Sequence, residues 1–362
     1  MKYSVKETSK PIYLQLYEQI RKDIVNKVYP FGSKLPSKRT VAEEVGVSVI
    51  TVEHAYGLLV EEGYIESRER SGFFVVFNTG EVFLGEDSRI EARPTFHAEK
   101  TVGEFPFSVL AKAMRKVIAD YGENLLEKTD NSGAVSLRQA IRKYLIRNRG
   151  IDAEVDQIII GSGAEYLYGL ITSLLGRKKV FGIESPSYEK IEKVYLSSGV
   201  KVEKLPLDKT GVESKALNQT LADVLHVSPY KSYPTGITAD ASKRHEYIAW
   251  ASKGNKFIIE DDFESEFSVL NKPEDTIFSL SSKDNVIYMN TFSKTISPSL
   301  RIGYMVLPKC LVGPFNKKLG FYSCTVPAFE QYLITELLNS GDFERHINRI
   351  RRQKRNLGQI LP

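Results

Sequence analysis

Residues 286–295 read VIYMNTFSKT, an apolar run that ends in hydroxyl residues and a lysine. Two other runs are built in the same way: residues 257–262 read FIIEDD, and residues 157–164 read QIIIGSGA. Short, nearly continuous apolar runs predict strands that are buried on both faces, as in a parallel sheet. Helical patterns separate them, for example over residues 167–175. The sequence therefore predicts a three-layer α/β domain, with helices on both faces of a mostly parallel sheet.

Polar groups follow these strands at their carboxyl ends, the edge at which such sheets bind ligands. They are the Ser162-Gly163 turn, Asp261 and Lys294. Each is a weak signal alone, because glycine turns, acidic loops and Ser-Lys pairs are common. Together they supply what pyridoxal phosphate requires: a lysine for the Schiff base, a carboxylate that keeps the pyridine nitrogen protonated, and a helix N-terminus for the phosphate.

Residues 11–77 are organised differently. A first helical pattern is followed by two short helices that begin after Ser37 and Ser48. Two strand-like runs, residues 64–67 and 73–77, then form a hairpin. Three helices and a hairpin in this order predict an α+β winged helix-turn-helix, with a helical protein-interaction module as the alternative.

The chain has 362 residues, of which 42% are hydrophobic and 26% charged, as expected for several globular domains. A net charge of +5 permits nucleic-acid binding but does not argue for it. Two cysteines exclude a disulfide framework, and five scattered histidines give no metal-ligand spacing. No apolar run approaches the ~18 residues of a membrane span, so we expect a cytoplasmic protein without membrane association. We place the domains at residues 1–78 and 96–362, joined by a linker at 79–95.

Residues 35–39 (LPSKR), 47–52 (VSVITV) and 62–65 (EGYI) make the first domain similar to the winged helix of the GntR family. Val49 stands where that family usually has an arginine in the major groove, so the operator sequence is not readable here. The candidate DNA contacts come from this resemblance and from the basic residues near the second helix and the wing. They are Lys38, Arg39, Ser48, Ile50, Thr51, His54, Arg68, Arg70 and Gly72.

The second domain carries six motifs in one order: GSGAE at 161–165, ESPSY at 184–188, YPTG at 233–236, IEDDFESEF at 259–267, TFSKT at 291–295 and LRIGY at 300–304. With them the domain resembles class I aminotransferases of fold type I. The whole chain resembles MocR/GabR-type transcription regulators, which join a GntR winged helix to such a domain. The resemblance implies that Lys294 is the catalytic Schiff-base lysine, that Asp261 faces the pyridine nitrogen and that Tyr188 stacks on the ring. It also implies a set of phosphate-binding residues, namely Ser162, Gly163, Ala164, Thr291, Ser293 and Arg301.

Three positions depart from the family pattern. Phe263 replaces a tyrosine whose hydroxyl bonds the cofactor, a loss of roughly 1 kcal/mol. Lys128 begins a run that replaces one bearing a tyrosine that reaches a neighbouring subunit's phosphate. The sequence stops at Pro362, soon after a basic helix from Arg349 to Arg355, so we expect the small C-terminal domain of the family to be missing.

These features predict a pyridoxal phosphate-dependent transcription regulator that binds operator DNA as a homodimer. The resemblance implies that it senses an amino-compound effector by aldimine exchange at Lys294. Two alternatives stay open. One is a working aminotransferase, which Phe263 and the missing small domain disfavour, so we do not expect an enzyme. The other is a DNA-binding protein whose second domain is a dimerisation scaffold without cofactor.

Overall fold

The computed structural model of the chain describes residues 3, 5, 10–68, 71–77, 105–270 and 274–358, with side chains to residue 356. The chain divides into two compact units, Met1–His97 and Ala98–Pro362. The linker predicted at 79–95 and the candidate DNA contact Arg70 lie outside the described residues. Within the described ranges, every helix is too short or too polar to cross a membrane.

The first unit contains three helices and a two-stranded antiparallel sheet. They are α1 (Ile12–Val25), α2 (Lys38–Val45), α3 (Val49–Glu61), β1 (Ile65–Arg68) and β2 (Gly72–Val75). Ser37 and Ser48 cap α2 and α3, because each hydroxyl accepts a hydrogen bond from the backbone N–H three residues later, at 3.2 Å. Gly46 ends α2 in the left-handed conformation, at φ 74°. Helices and hairpin share one apolar core, which confirms the predicted winged helix-turn-helix.

Strands and helices alternate through the second unit. The strands are β3 (Ile158–Gly161), β4 (Val180–Ser185), β5 (Lys201–Pro206), β6 (Val224–Val227), β7 (Phe257–Asp261), β8 (Val286–Thr291) and β9 (Gly303–Val306). The helices are α4 (Phe107–Tyr121), α5 (Val135–Arg149), α6 (Ala164–Leu175), α7 (Glu189–Ser197), α8 (Ser214–Gln219), α9 (Ala241–Ala251), α10 (Ile277–Leu280), α11 (Lys309–Leu319), α12 (Ala328–Asn339) and α13 (Asp342–Gly358).

The seven strands form one sheet in the order β3-β9-β8-β7-β6-β4-β5. Neighbouring strands are parallel except at β9, which is antiparallel to both β3 and β8. The predicted mostly parallel sheet is therefore confirmed. Strand β5 lies at one edge and exposes much of its surface, so it lacks the continuous apolar run by which the other strands were predicted.

Successive residues of each strand pack on opposite faces of the sheet, which creates the three layers. Ile158 and Ile160 belong to a core with α4, α5, α12 and α13, whereas Ile159 packs with α6, α7 and α11. Strands β4, β6, β7 and β8 run parallel, so their carboxyl ends lie side by side, along what we call the carboxyl edge of the sheet. Asp261 ends β7, and Lys294 follows β8, so both lie at this edge.

Candidate cofactor site and DNA-binding surface

A cavity of about 480 Å³ lies at the carboxyl edge of the parallel strands. Most of the predicted cofactor residues line it: Gly163, Ala164, Tyr188, Asp261, Thr291, Ser293, Lys294 and Arg301. Ser162 is not among the lining residues, and its hydroxyl accepts a hydrogen bond from the Thr325 hydroxyl at 3.1 Å. The fold thus brings together side chains that are up to 138 positions apart in sequence, as from Gly163 to Arg301.

Lys294 lies at the mouth of the cavity, with 54% of its side chain exposed. Its Nζ is 3.3 Å from Oε1 of Glu264 and 5.4 Å from the centre of the Phe263 ring. Phe263 therefore presents a ring face to the ammonium group where a tyrosine would add a hydroxyl. Glu264 was not predicted as a site residue, because the run EDDFESE offers several acids and no sequence pattern selects this one.

Two adjacent aspartates at the end of β7 point to opposite faces of the sheet. Asp261 lines the cavity, and its Oδ2 accepts a hydrogen bond from the Tyr168 hydroxyl at 2.5 Å. Asp262 instead pairs with the buried Arg149 at 2.7 Å and accepts a hydrogen bond from Tyr288 at 2.6 Å. The alternation of the strand thus decides which of the two acids faces a bound ring.

The N-terminus of α6 also lines the cavity. Gly163 caps this helix at φ 89°, and a Cβ atom built there would lie only 3.4 Å from Nη2 of Arg301. Arg301 pairs with Glu165 at 2.7 Å, and Lys190 pairs with the same carboxylate at 2.6 Å. Hydrogen bonds from Lys190 and Arg301 hold the pKa of Glu165 below its usual value. Glu165 is therefore an anion beside the predicted phosphate site.

These groups fit a phosphate-bearing pyridine aldehyde. The site supplies one amine at Lys294, one carboxylate at Asp261, and hydroxyls at Thr291 and Ser293. Backbone N–H groups at a helix N-terminus and a guanidinium group are the donors that a phosphate prefers. Gly163 has a φ of 89°, which L side chains rarely adopt, so the turn before α6 has no side chain at this position beside Arg301.

A third part of the cavity contains a buried acid. Glu184 accepts hydrogen bonds from the Ser232 hydroxyl at 2.6 Å and from the Ser228 backbone N–H at 3.2 Å. Burial nevertheless raises the pKa of Glu184 to about 7. Tyr188 and Tyr233 line the cavity nearby, with ring centres 6.2 Å apart at an angle of 79°. Glu184 belongs to the ESPSY motif, yet its burial was invisible in the sequence.

Lys128 lies outside this cavity, in a separate open groove with Asp130 and Arg138. Lys128 is therefore not among the residues that line the candidate cofactor site of its own chain.

The candidate DNA contacts at the start of α2 and α3 are largely exposed. Arg39, Ser48 and His54 are exposed, and Ile50 exposes 64% of its surface. The hydroxyls of Ser48 and Thr51 lie 2.8 Å apart, so this pair caps the helix and presents two hydroxyls together.

Two further candidates already have partners in the first unit. Lys38 pairs with Glu53 at 2.6 Å, and Arg68 pairs with Glu66 at 2.6 Å. Gly72 opens β2 at φ 113°, and a Cβ atom built there would lie 2.9 Å from Cε of Lys34. Because Gly72 has no side chain, the side chain of Lys34 can pass close to the backbone of the β1–β2 hairpin, which is the wing.

Comparisons with known proteins match both units. The family model for bacterial regulatory proteins of the gntR family matches residues 12–75, and that for aminotransferase class I and II matches residues 100–360. The uncharacterized HTH-type transcriptional regulator YdeL of Bacillus subtilis is 31% identical over 97% of this chain and 78% of its own length. The probable rhizopine catabolism regulatory protein MocR of Rhizobium meliloti is 28% identical over 94% of this chain and 74% of its own length.

A solved structure shares the fold of the second unit. The kynurenine aminotransferase of Pyrococcus horikoshii, in complex with PMP, is 25% identical with a TM-score of 0.61. The match covers 68% of this chain and 64% of that chain, so this chain spans less than two thirds of that enzyme. The predicted fold, a winged helix with a fold-type I aminotransferase-like domain, is confirmed by these matches.

Proposed function

The chain belongs to the MocR-type transcription regulators, and on that premise we propose that it senses an amino compound at Lys294. As a member of this family it is a DNA-binding regulator that depends on pyridoxal phosphate. The observation that carries the finer proposal is the shared cavity, which is lined by the amine of Lys294, the carboxylate of Asp261 and the guanidinium of Arg301.

The chain's own residues divide the task of holding the cofactor. When bound, pyridoxal phosphate supplies an aldehyde carbon that primary amines attack reversibly, and a ring that withdraws electrons. Lys294 would provide the resident amine, and Asp261 would hold a proton on the pyridine nitrogen. The α6 N-terminus, with Ala164, Thr291, Ser293 and Arg301, would hold the phosphate, and Tyr188 would cover the ring. Ser162 and Gly163 belong to the turn that leads into α6.

Glu264 gives the Lys294 side chain an ion-pair partner in addition to the cofactor that it would bind. The Glu264 carboxylate lies 3.3 Å from Nζ of Lys294, so this ion pair must open before the amine can react. If an effector amine took the place of the lysine on the cofactor, Glu264 would hold the released Nζ in this ion pair. Glu264 would thereby stabilise the effector-bound state.

An effector can control DNA binding only if it binds two arrangements of the protein with different affinities. A ligand shifts an equilibrium only by the difference between its affinities for the two states. We infer a homodimer, because helix-turn-helix regulators of this type bind two half-sites related by symmetry. Arg39 and the exposed start of α3 would contact each half-site.

Transamination is a second candidate activity, and the presence of both Lys294 and Asp261 in the cavity favours it. Formation of a keto acid from an amino donor, lost in Lys294→Ala, would establish it. Phe263 and the exposure of the cavity mouth disfavour it, because both loosen the positioning that the reaction requires.

Footprinting on the DNA upstream of the protein's own gene tests the regulatory proposal. Wild-type protein should protect a site, and the protection should change when pyridoxal phosphate is combined with one of a panel of primary amino compounds. Lys294→Ala should protect the same site and not respond. Lys231→Ala is the matched control, because Lys231 lines the same cavity and should leave the response intact. An equal response from wild type and Lys294→Ala would contradict the proposal.

A further inference from the structure

Three buried side chains beside Asp261 have no part in the proposed function so far. Tyr168 on α6 donates a hydrogen bond to Oδ2 of Asp261 at 2.5 Å. His226 on β6 places Nε2 3.6 Å from the same oxygen. The hydroxyl of Tyr195 on α7 lies 2.6 Å from Nδ1 of His226. All three side chains are almost completely buried, so this row of polar groups lies within the interior of the second unit.

The direction of each hydrogen bond follows from the chemistry of the groups. Burial raises the pKa of Tyr168 and of Tyr195 well above the usual value, so both hydroxyls keep their protons. Tyr168 faces a carboxylate oxygen, which only accepts when ionised. Tyr195 faces an imidazole nitrogen, to which its proton is donated if Nδ1 carries none.

If the Tyr195 hydroxyl donates to Nδ1, the single proton of a neutral imidazole must be on Nε2. Nε2 of His226 is fully buried and has no hydrogen-bond partner within 3.5 Å among the described residues. The nearby acceptor is Oδ2 of Asp261, at 3.6 Å. A proton on Nε2 would therefore face this oxygen at 3.6 Å, just beyond the distance of a hydrogen bond.

We propose that Tyr168, His226 and Tyr195 are positioning residues that direct two protons to one oxygen of Asp261. Asp261 lines the cavity. Among the described residues, both contacts are made to Oδ2, and the other oxygen, Oδ1, has no hydrogen bond. Oδ1 would then be available to accept the proton on the cofactor's pyridine nitrogen. Tyr195 acts through His226, because it selects the tautomer that donates to Asp261.

The physical reason for such a chain is the cost of an ionised carboxylate in a buried place. Asp261 is only 7% exposed, and a buried charge requires hydrogen-bond donors around it. Donors that bond the charged form offset that cost. With the hydrogen bond from Tyr168 and a proton on Nε2 of His226 both directed to Oδ2, the carboxylate would be held against rotation, and Oδ1 would stay available to the cavity. This inference rests on the proposed function, since it assigns Asp261 the role given there.

The first test needs no cofactor. Nitrogen-15 NMR of histidine in the full-length protein reports the tautomer of His226, whose signal is assigned by its absence in His226→Gln. We expect the Nε2–H tautomer in wild type and a shift toward Nδ1–H in Tyr195→Phe, which keeps the ring and loses the donor. A wild-type Nδ1–H tautomer would overturn the inference whether or not the protein binds pyridoxal phosphate.

The second test measures the dissociation constant of pyridoxal phosphate. Tyr168→Phe should weaken binding roughly 10-fold and Tyr195→Phe roughly 3-fold, as expected for one lost bond to a charged group and one indirect loss. His226→Gln keeps an N–H donor and should bind more tightly than His226→Leu. Tyr247→Phe is the control for a buried tyrosine elsewhere, because its hydroxyl bonds the Val212 backbone.

The outcomes separate the two claims. If wild type binds the cofactor and both Tyr168→Phe and Tyr195→Phe bind it equally well, the inference fails and the proposed function stands. If wild type does not bind it, the proposed function fails. Melting temperatures identify a variant that does not fold, in which case the His226→Gln and His226→Leu pair decides the inference.

Discussion

The Nζ atom of Lys294 lies 3.3 Å from Oε1 of Glu264, so the proposed cofactor lysine has an anionic partner from its own chain. Glu264 adopts a left-handed backbone conformation at φ 63°, which is uncommon for a residue other than glycine. It follows Phe263, whose ring faces the same ammonium group. Since Phe263 has no hydroxyl, the polar contact of the Lys294 ammonium group comes from the acid next to it, Glu264.

Glu264→Gln should make the free amine of Lys294 more available. An exposed ion pair contributes about 0.2–1 kcal/mol, so capture of pyridoxal phosphate should become about 1.5- to 5-fold faster. The same variant should need more effector, because the displaced lysine loses its partner. Stopped-flow absorbance measures the first effect, and titration of the DNA response measures the second. Slower capture by Glu264→Gln would mean that the carboxylate acts as a proton acceptor instead.

Glu165→Gln should strengthen cofactor binding. The Glu165 carboxylate forms an ion pair with the Arg301 guanidinium at 2.7 Å, and its negative charge would repel a phosphate at the α6 N-terminus. Its removal should lower the dissociation constant of pyridoxal phosphate about 2- to 5-fold, as measured by fluorescence titration. Glu189→Gln is the control, because Glu189 is exposed and pairs with Lys193 on α7. Weaker binding by Glu165→Gln would show that the carboxylate orients Arg301.

Arg39→Ala should weaken DNA binding by removing one phosphate contact. The slope of log affinity against log salt should decrease in magnitude by about 1, and the loss should be similar for specific and unrelated DNA. Lys22→Ala removes an exposed charge on α1, away from the start of α2 and the wing, and should leave the slope unchanged. Fluorescence anisotropy at several salt concentrations measures both. Identical slopes for wild type and Arg39→Ala would exclude this contact.

Glu184→Gln should change how stability depends on pH. Burial raises the pKa of Glu184 to about 7 from 4.5, so the folded state holds a proton that the unfolded state has lost between these values. The stability that Glu184 contributes is present below pH 4.5 and declines as pH rises to about 7, by roughly 3 kcal/mol. Glutamine does not titrate, so the stability of the variant relative to wild type should increase over this range. Denaturant unfolding at pH 5 and pH 8 measures the difference, and a constant difference would contradict the raised pKa.

Much of the fold was predictable because local signals agree with it. Ser37, Ser48 and Gly46 cap and end helices as their types predict, and the apolar runs before Asp261 and Lys294 are buried strands. Strand β5 was missed, because an edge strand with one exposed face has no continuous apolar run.

The site was only partly predictable, because its remaining members are set by tertiary contacts. The sequence does not indicate that Tyr168 on α6 meets Asp261 on β7, or that Glu165 reaches Arg301 across 136 positions. Asp261 and Asp262 are the same residue type in adjacent positions, and only their place on the strand separates a cavity acid from the partner of Arg149. Burial of Glu184 is likewise a property of the assembled layers.

The central claim is that Lys294 is the residue to which pyridoxal phosphate attaches. Full-length protein is incubated with the cofactor, reduced with borohydride and digested, and the modified peptide is sequenced by mass spectrometry. We expect a phosphopyridoxyl group on Lys294, and no modified peptide from Lys294→Ala. Modification of Lys231, which lines the same cavity, or no modification of wild type, would contradict this attachment at Lys294.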